Sequence, residues 1–385
     1  MPLKQIDRTD DDRLNWRYQD KTYNEMFKAW RRKRKDSIGF YYVSKPNELT
    51  YLDGYGFVTD YPEAAERNAL RKVMNVIGVT MMILGVIDLL YKYAVPNVLA
   101  AFGADIYFDK YTKTFYGDEW LILAIDTFFS VIKRLIPLLY VYKKMQMPIK
   151  VMIPTRITNR TLFKYAVPVM LFTAGCCTAA SGVYERILHF VGIEKDKLFD
   201  MPDSKAVLVL FLIVHIILIP IISEMHTRGA LLQLLRQFGD GFAIVVTALL
   251  TSLISYNIST FCYIFVVSLV IGYFTVRTGS VITAILMRIT AAAVSYGVFM
   301  ADELVSDENS GLVVMILMLI ILGVGLVSFV KLLLNYSNNF SLNFKGRYLS
   351  FSDKCGITAS SIPVVIGLTI IIIHTIINIS FVMSV

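Results

Sequence analysis

Charge is scarce in this 385-residue chain: Asp, Glu, Lys and Arg together make up 18% of it, against about a quarter in a soluble globular protein. That shortage excludes a soluble enzyme and a disordered tail protein. There are four histidines and four cysteines. Cys176, Cys177, Cys262 and Cys355 form no CxxC pair and have no histidine at zinc spacing, which argues against a zinc site and a disulfide scaffold. No metal and no cofactor is expected. No internal repeat is evident, which counts against a transporter built from two symmetric halves. The opening stretch MPLKQIDRTDDDRLNWRYQD lacks the apolar core of a cleaved signal peptide, so the first apolar span is expected to direct insertion itself.

What the chain does hold is apolar length. Residues of the AVILMFWYC set reach 56% and mean hydropathy is +0.57. The expected fold is an all-α polytopic membrane protein with about nine transmembrane helices (eight to nine), at about 73–94, 120–142, 163–183, 206–222, 241–257, 260–276, 281–300, 311–335 and 360–383. The loop 143–162 carries Lys143, Lys144, Lys150, Arg156 and Arg160 without an acid, whereas 301–310 carries Asp302, Glu303, Asp307 and Glu308 without a base. By the positive-inside rule this places the N-terminus in the cytoplasm and, after nine crossings, the C-terminus outside. The shortest links, near 258–259 and 277–280, predict tightly packed neighbours. The net charge of +8 is modest, and no nucleic-acid partner is expected.

Residues 1–72 form a separate cytoplasmic segment, basic and rich in aromatics, ahead of a transmembrane domain over 73–385. It holds 15 Lys and Arg against 12 Asp and Glu, and twelve aromatic residues, which argues against simple disorder. Within it, GFYYVSKPNELTYLDGYGFV reads as a small hairpin broken at Pro46-Asn47 and Asp53-Gly54, and Asp60 reads as a helix start. The cluster Lys28, Arg31, Arg32, Lys33, Arg34 and Lys35 suits anionic lipid headgroups, or simply marks the cytoplasmic side.

Charges inside apolar spans are expensive and need partners. Asp88 falls in the first span, and Asp126, Lys133 and Arg134 in the second. Asp126 and Lys133, two helical turns apart, can share a face lining a hydrated cavity. Alternatively Lys133 and Arg134 snorkel and Asp88 pairs with a neighbouring helix. His189 and His374 fall near span ends and read as interfacial, and His215 as a hydrogen-bonded core histidine.

The richest stretch runs from Ile219 to Val294: IIPIISEMHTRGALLQLLRQFG, then FAIVVTALLTSLISYN, then GSVITAILMRITAAAV. It resembles the CPBP family of intramembrane proteases, the CAAX-processing and bacteriocin-processing (Abi) group, which carries an EExxxR helix, an FxxxH helix and an HxxxN helix in that order. The resemblance covers about 206–300. It implies a hydrated pocket in which a Glu and a His activate water while a His and an Asn stabilise the oxyanion.

The residues at those positions differ. EExxxR reads here as Ser223-Glu224-Met225-His226-Thr227-Arg228, retaining Glu224 and Arg228 but not the first Glu. FxxxH becomes Thr251 to Ser255, and HxxxN becomes Arg288 to Ala292. All four chemical positions are therefore occupied by other groups: Ser223, Ser255, Arg288 and Ala292. Glu224 and Arg228 have ion-pair spacing, and Arg288 is expected to seek a buried acid, with Glu224 the candidate. The favoured function is a catalytically inactive family member that binds a peptide or a partner transmembrane helix as a scaffold, assembly or immunity subunit. Its expected setting is a bacterial plasma membrane, with lipids and a membrane protein or peptide as partners. One alternative is an active endopeptidase with a rearranged site around Glu224, using His226 or His215. The other is a transporter-like subunit that uses Asp88 or Asp126.

Overall fold

The computed structural model describes residues 19–33, 49–52, 56–59, 62–109, 114–194, 201–305, 307–336 and 348–381. The chain begins with helix α1 (Lys21–Lys33) and a hairpin, β1 (Leu49–Leu52) against β2 (Gly56–Thr59), paired Leu49↔Thr59 through Leu52↔Gly56. The expected hairpin is thus present, whereas the Asp60 helix start lies outside the described residues.

The apolar helices begin with α2 (Pro62–Leu89), which runs through a π turn at Leu90–Ala94 into α3 (Val95–Ala101). A small hairpin, β3 (Ile106–Phe108) with β4 (Phe115–Gly117), leads to α4 (Glu119–Met145), the short α5 (Ile149–Met152) and α6 (Arg160–Phe190). After β5 (Ile193–Glu194), one long helical segment passes from α7 (Lys205–Ile213) through a π turn (Val214–Leu218), α8 (Ile219–Glu224), a second π segment (Met225–Leu231) and α9 (Leu232–Leu235) to a 3₁₀ turn at Arg236–Phe238. Then follow α10 (Asp240–Leu253), α11 (Ile258–Thr278), α12 (Val281–Leu304), α13 (Asp307–Tyr336), α14 (Phe351–Ala359), α15 (Ile362–Asn378) and β6 (Ser380–Phe381), which pairs with β5.

Among the described residues six helices are long and apolar enough to cross a membrane, and α14 with α15 makes a seventh candidate bent by 72°. Each expected span falls on a helix, with two boundaries corrected. Span five ends at Leu253 rather than 257, because Tyr256 takes a left-handed φ of 53° that no helix continues through. The fourteen residues of α10 reach only about 21 Å, short of the roughly 30 Å of a hydrocarbon core. The last helix stops at Asn378, where the chain turns into β6.

Two of the π turns end two residues before a proline, Pro96 and Pro220. A proline brings no N–H to the carbonyl four residues back and crowds it, so the preceding turn widens instead. Close packing comes from small residues. Gly78 of α2 lies against the Pro363 backbone of α15, and Gly325 of α13 presses on Phe172 of α6. Gly272 of α11 faces Ile244 of α10, where a Cβ would come within 3.1 Å of Ile244 Cγ2. The short links thus join closely packed neighbours, as expected.

One end of the bundle gathers α1, α5, the 236–240 elbow and the α11–α12 link. There Val281 N donates to Pro154 O (2.8 Å) and Ser280 Oγ to Thr155 O (2.9 Å). The other end gathers β3–β4, β5–β6 and the start of α7, where the Glu119 carboxylate accepts from the Asp203 and Ser204 amides.

The aromatic face of α1 is built into the first of these ends. Tyr23, Phe27 and Trp30 are buried, the Trp30 indole donates to Met145 O (2.9 Å), and the Tyr23 hydroxyl donates to Gln233 Oε1 (2.6 Å). Burial pushes the Tyr23 phenol up to about 12, with Arg236 pulling the other way. Arg31 is also buried, 1% exposed, so it is not the lipid-facing cation expected. It shares the face of Phe27, four residues earlier, which packs into the core. Lys28 is half-buried, Arg32 and Lys33 lie in α1 with side chains outside the described set, and Arg34 and Lys35 are outside the described residues.

Candidate functional site

The motif stretch sits where the long helical segment loses its α register. Glu224 ends α8, and Arg228 lies in the π segment, a kind of local widening that often accompanies function. Both side chains are fully buried. Arg228 Nε stands 3.3 Å from Glu224 Oε2. Its remaining donors are also placed: Nη1 donates to Thr227 Oγ1 (2.9 Å) and Thr251 Oγ1 (3.0 Å), and Nη2 to Ser268 O (2.9 Å). Arg228 thereby ties its own helix to α10 and α11. Thr251 occupies the family's Phe position, and reading the sequence gave it no role. In the fold its hydroxyl donates to Thr247 O (2.7 Å) while accepting from Arg228.

Ser223, Ser255, Arg288 and Ala292 are each half-buried. Ser255 lies beyond the end of α10, where its hydroxyl donates to Ser252 O (2.6 Å). Arg288 and Ala292 share one face of α12, one turn apart. The expected ion pair between Arg288 and Glu224 is not formed: the described residues contain no such contact within 4.0 Å. Glu224 is already matched by Arg228 on its own helix, a local pairing that needs no second helix to be positioned.

His226 is buried, and its Nε2 has no hydrogen-bond partner among the described residues. His215 lies in the first π turn of the long segment with Nδ1 3.1 Å from Phe211 O and Nε2 3.1 Å from Asp126 Oδ2. It is held by hydrogen bonding and an acid, as the core reading requires. Asp126 also accepts from the Tyr91 hydroxyl (3.0 Å).

A second polar group was not legible as a unit. Lys133 pairs with Asp88, not with Asp126 two turns away on its own helix. His374 Nε2 lies 3.2 Å from Asp88 Oδ2 and is fully buried, so the interfacial reading of His374 is overturned. The Tyr256 ring packs edge-on to His374 at 4.4 Å, and Lys133 Nζ sits 4.8 Å over that ring. Four separate segments meet here, α2, α4, the α10–α11 turn and α15, and no local sequence signal links them. His189 is exposed. Among the described residues no group of three or more His, Cys, Asp or Glu is placed to hold a metal ion.

Residues 205–294 match the family model described as type II CAAX prenyl endopeptidase Rce1-like. Neither curated proteins nor solved structures give a match. The matched segment is the one that holds Glu224, Arg228, Thr251 and Arg288, so family likeness and buried site coincide. The chain is a polytopic helical membrane protein that is CAAX-protease-like over residues 205–294.

Proposed function

We propose that this protein is a catalytically inactive relative of the CAAX-type intramembrane endopeptidases. In this reading it holds a peptide or a partner transmembrane helix as a scaffold, assembly or immunity subunit, in a bacterial plasma membrane with the α1 end cytoplasmic. One observation carries the proposal. The four positions that need a base, two imidazoles and an amide hold Ser223, Ser255, Arg288 and Ala292. The retained carboxylate, Glu224, is buried and engaged by Arg228. A general base must reach the proton it abstracts, and a carboxylate enclosed beside a guanidinium is poorly suited to that role. Neither a serine hydroxyl nor a guanidinium is suited to act as a general base.

A second reading, an active endopeptidase with a rearranged site, is favoured by the imidazole–carboxylate pair His215–Asp126. A transporter-like role draws on the buried group of Asp88, Lys133 and His374.

The test reconstitutes the protein in liposomes with a panel of prenylated and transmembrane peptides, comparing wild type with Glu224→Gln and His215→Gln. Binding without cleavage, unchanged in either variant, is the expected result. Turnover that disappears in Glu224→Gln or His215→Gln would establish the active reading. Ion flux through the same liposomes that depends on Asp88 would establish the transporter one.

A further inference from the structure

One face of the β3–β4 hairpin is aromatic and exposed. The register sets Tyr107 opposite Tyr116 and Phe108 opposite Phe115, so the two pairs fall on opposite faces. Phe108 and Phe115 turn inward: their rings lie 5.0 Å apart, with Tyr93 5.7 Å from Phe108 and Tyr91 5.1 Å from Phe115. Tyr107 and Tyr116 stack at 5.2 Å on the other face, and both are exposed. Three more exposed rings stand at the same end of the bundle. They are Phe102 (86% exposed) after α3, Trp120 in the first turn of α4 and Phe190 (91%) at the end of α6. Large apolar surface of this kind marks a contact with something other than water.

The exposed side of α4 identifies that contact. Trp120, Ala124, Phe128, Leu135, Leu139 and Tyr142 are exposed, and at helical spacing they fall within a sector of about 100°. Asp126 and Lys133 lie on the opposite side, engaged by His215 and Asp88. From Trp120 to Tyr142 the stripe rises about 33 Å, which matches the roughly 30 Å of a hydrocarbon core. It starts at a Trp and ends at a Tyr followed by Lys143 and Lys144, residue types that settle at membrane–water interfaces. Trp120 therefore marks one interface. The hairpin, whose second strand runs through Asp118 directly into α4, lies at the same level.

We infer that the Tyr107–Tyr116 face, together with Phe102, Trp120 and Phe190, anchors this end of the bundle in the interfacial layer of a phospholipid bilayer. The rings enter the acyl boundary, while the tyrosine hydroxyls and the indole N–H stay among the headgroups. Continuity with the α4 stripe selects lipid over a protein partner, because the exposed surface at the hairpin passes without a break onto the flank of a helix of membrane-spanning length. Asp105 and Asp118, both exposed beside the hairpin, suit zwitterionic headgroups rather than anionic ones. The anchor also fixes the depth of the His215–Asp126 pair, since Asp126 lies about 9 Å along α4 from Trp120. The inference is independent of the scaffold reading, since an active enzyme or an inert subunit would carry the same anchor.

The test is tryptophan quenching in the full chain, reconstituted in phosphatidylcholine vesicles whose acyl chains are brominated either near the headgroup or near the chain end. Wild type minus Trp120→Phe isolates the Trp120 signal. Tyr107→Trp placed in the Trp120→Phe background, minus that background, isolates the hairpin. Trp16 and Trp30 are common to both members of each difference and cancel. Both signals should be lost chiefly to bromine near the headgroup, less to bromine near the chain end and least to acrylamide in the water. The inference is overturned if acrylamide quenches more than either lipid, which puts the face in water. It is equally overturned if chain-end bromine quenches best, which puts the face at the bilayer centre, or if none of the three quenches, which means that a protein surface covers it. Should Tyr107→Trp fail to fold, the Trp120 difference, which needs only a conservative change, decides among the same outcomes.

Discussion

Arg228 Nε lies 3.3 Å from Glu224 Oε2, and both side chains are closed off from solvent. The pair is local, four residues apart, but its outer bonds to Thr251 and Ser268 make it a three-helix joint. In this chain Glu224 and Arg228 fasten three helices together.

Breaking that fastening from one side should be severe. Arg228→Ala leaves Glu224 buried without its cation and removes the links to α10 and α11, a loss of about 3–5 kcal/mol. Replacing both partners with apolar residues, Glu224→Leu with Arg228→Met, should recover most of it. Unfolding midpoints in detergent for the two single variants and the pair will show whether the losses are non-additive, as contact requires.

The Asp88–Lys133–His374 group should behave in the same way across three helices. Lys133→Met alone leaves Asp88 facing His374 without its nearest cation, and the protein should unfold at a clearly lower temperature. Adding Asp88→Asn should restore stability. Additive losses in the double variant would mean that the two side chains do not meet.

The docking of α1 should fail when its aromatic face is trimmed. Trp30→Ala removes a buried indole and its bond to Met145 O, costing about 3 kcal/mol. Hydrogen exchange over residues 19–33 should then accelerate while the membrane helices keep their protection.

Alkaline pH should loosen the same contact. The Tyr23 phenol is pushed by burial up to about 12, above the roughly 10 of an unfolded tyrosine. The folded form therefore holds its proton more tightly, and the contribution is fully present below pH 10. It is lost as pH rises from about 10 through about 12. The absorbance titration of wild type minus Tyr23→Phe should show one phenol with a midpoint near 12, and a midpoint near 10 would place Tyr23 outside the core.

Gly78 should tolerate no side chain. A Cβ there meets the Pro363 carbonyl carbon, so Gly78→Val must push α2 away from α15. Lower yield of folded protein and a lower midpoint are expected, whereas Gly311→Val, at a position with open space around it, should be neutral.

Much of this architecture was legible from hydropathy. Every expected span found a helix, because lipid leaves each backbone amide and carbonyl only its own helix for a partner. The hairpin at 49–59 followed from strand residues around an Asp-Gly turn. The end of α10 was misplaced because hydropathy runs on through Ile254 to Tyr256 while the backbone turns. Arg31 was misread because a basic run looks alike whether it faces water or lies on the face of a docked helix.

The chain by itself determined that it is a helical membrane protein, where most of its apolar helices lie, and which residues stand at the four motif positions, Ser223, Ser255, Arg288 and Ala292. Those are properties of residue type and local spacing. The pairing of buried charges was decided only in three dimensions. Asp88 finds Lys133 forty-five residues away and His374 near the far end of the chain, whereas Glu224 is matched by Arg228 of its own helix. Electrostatic partnership depends on which helices become neighbours and how they are rotated. Both are set by close approach at glycines such as Gly78 and Gly325, which no charge pattern along the sequence encodes.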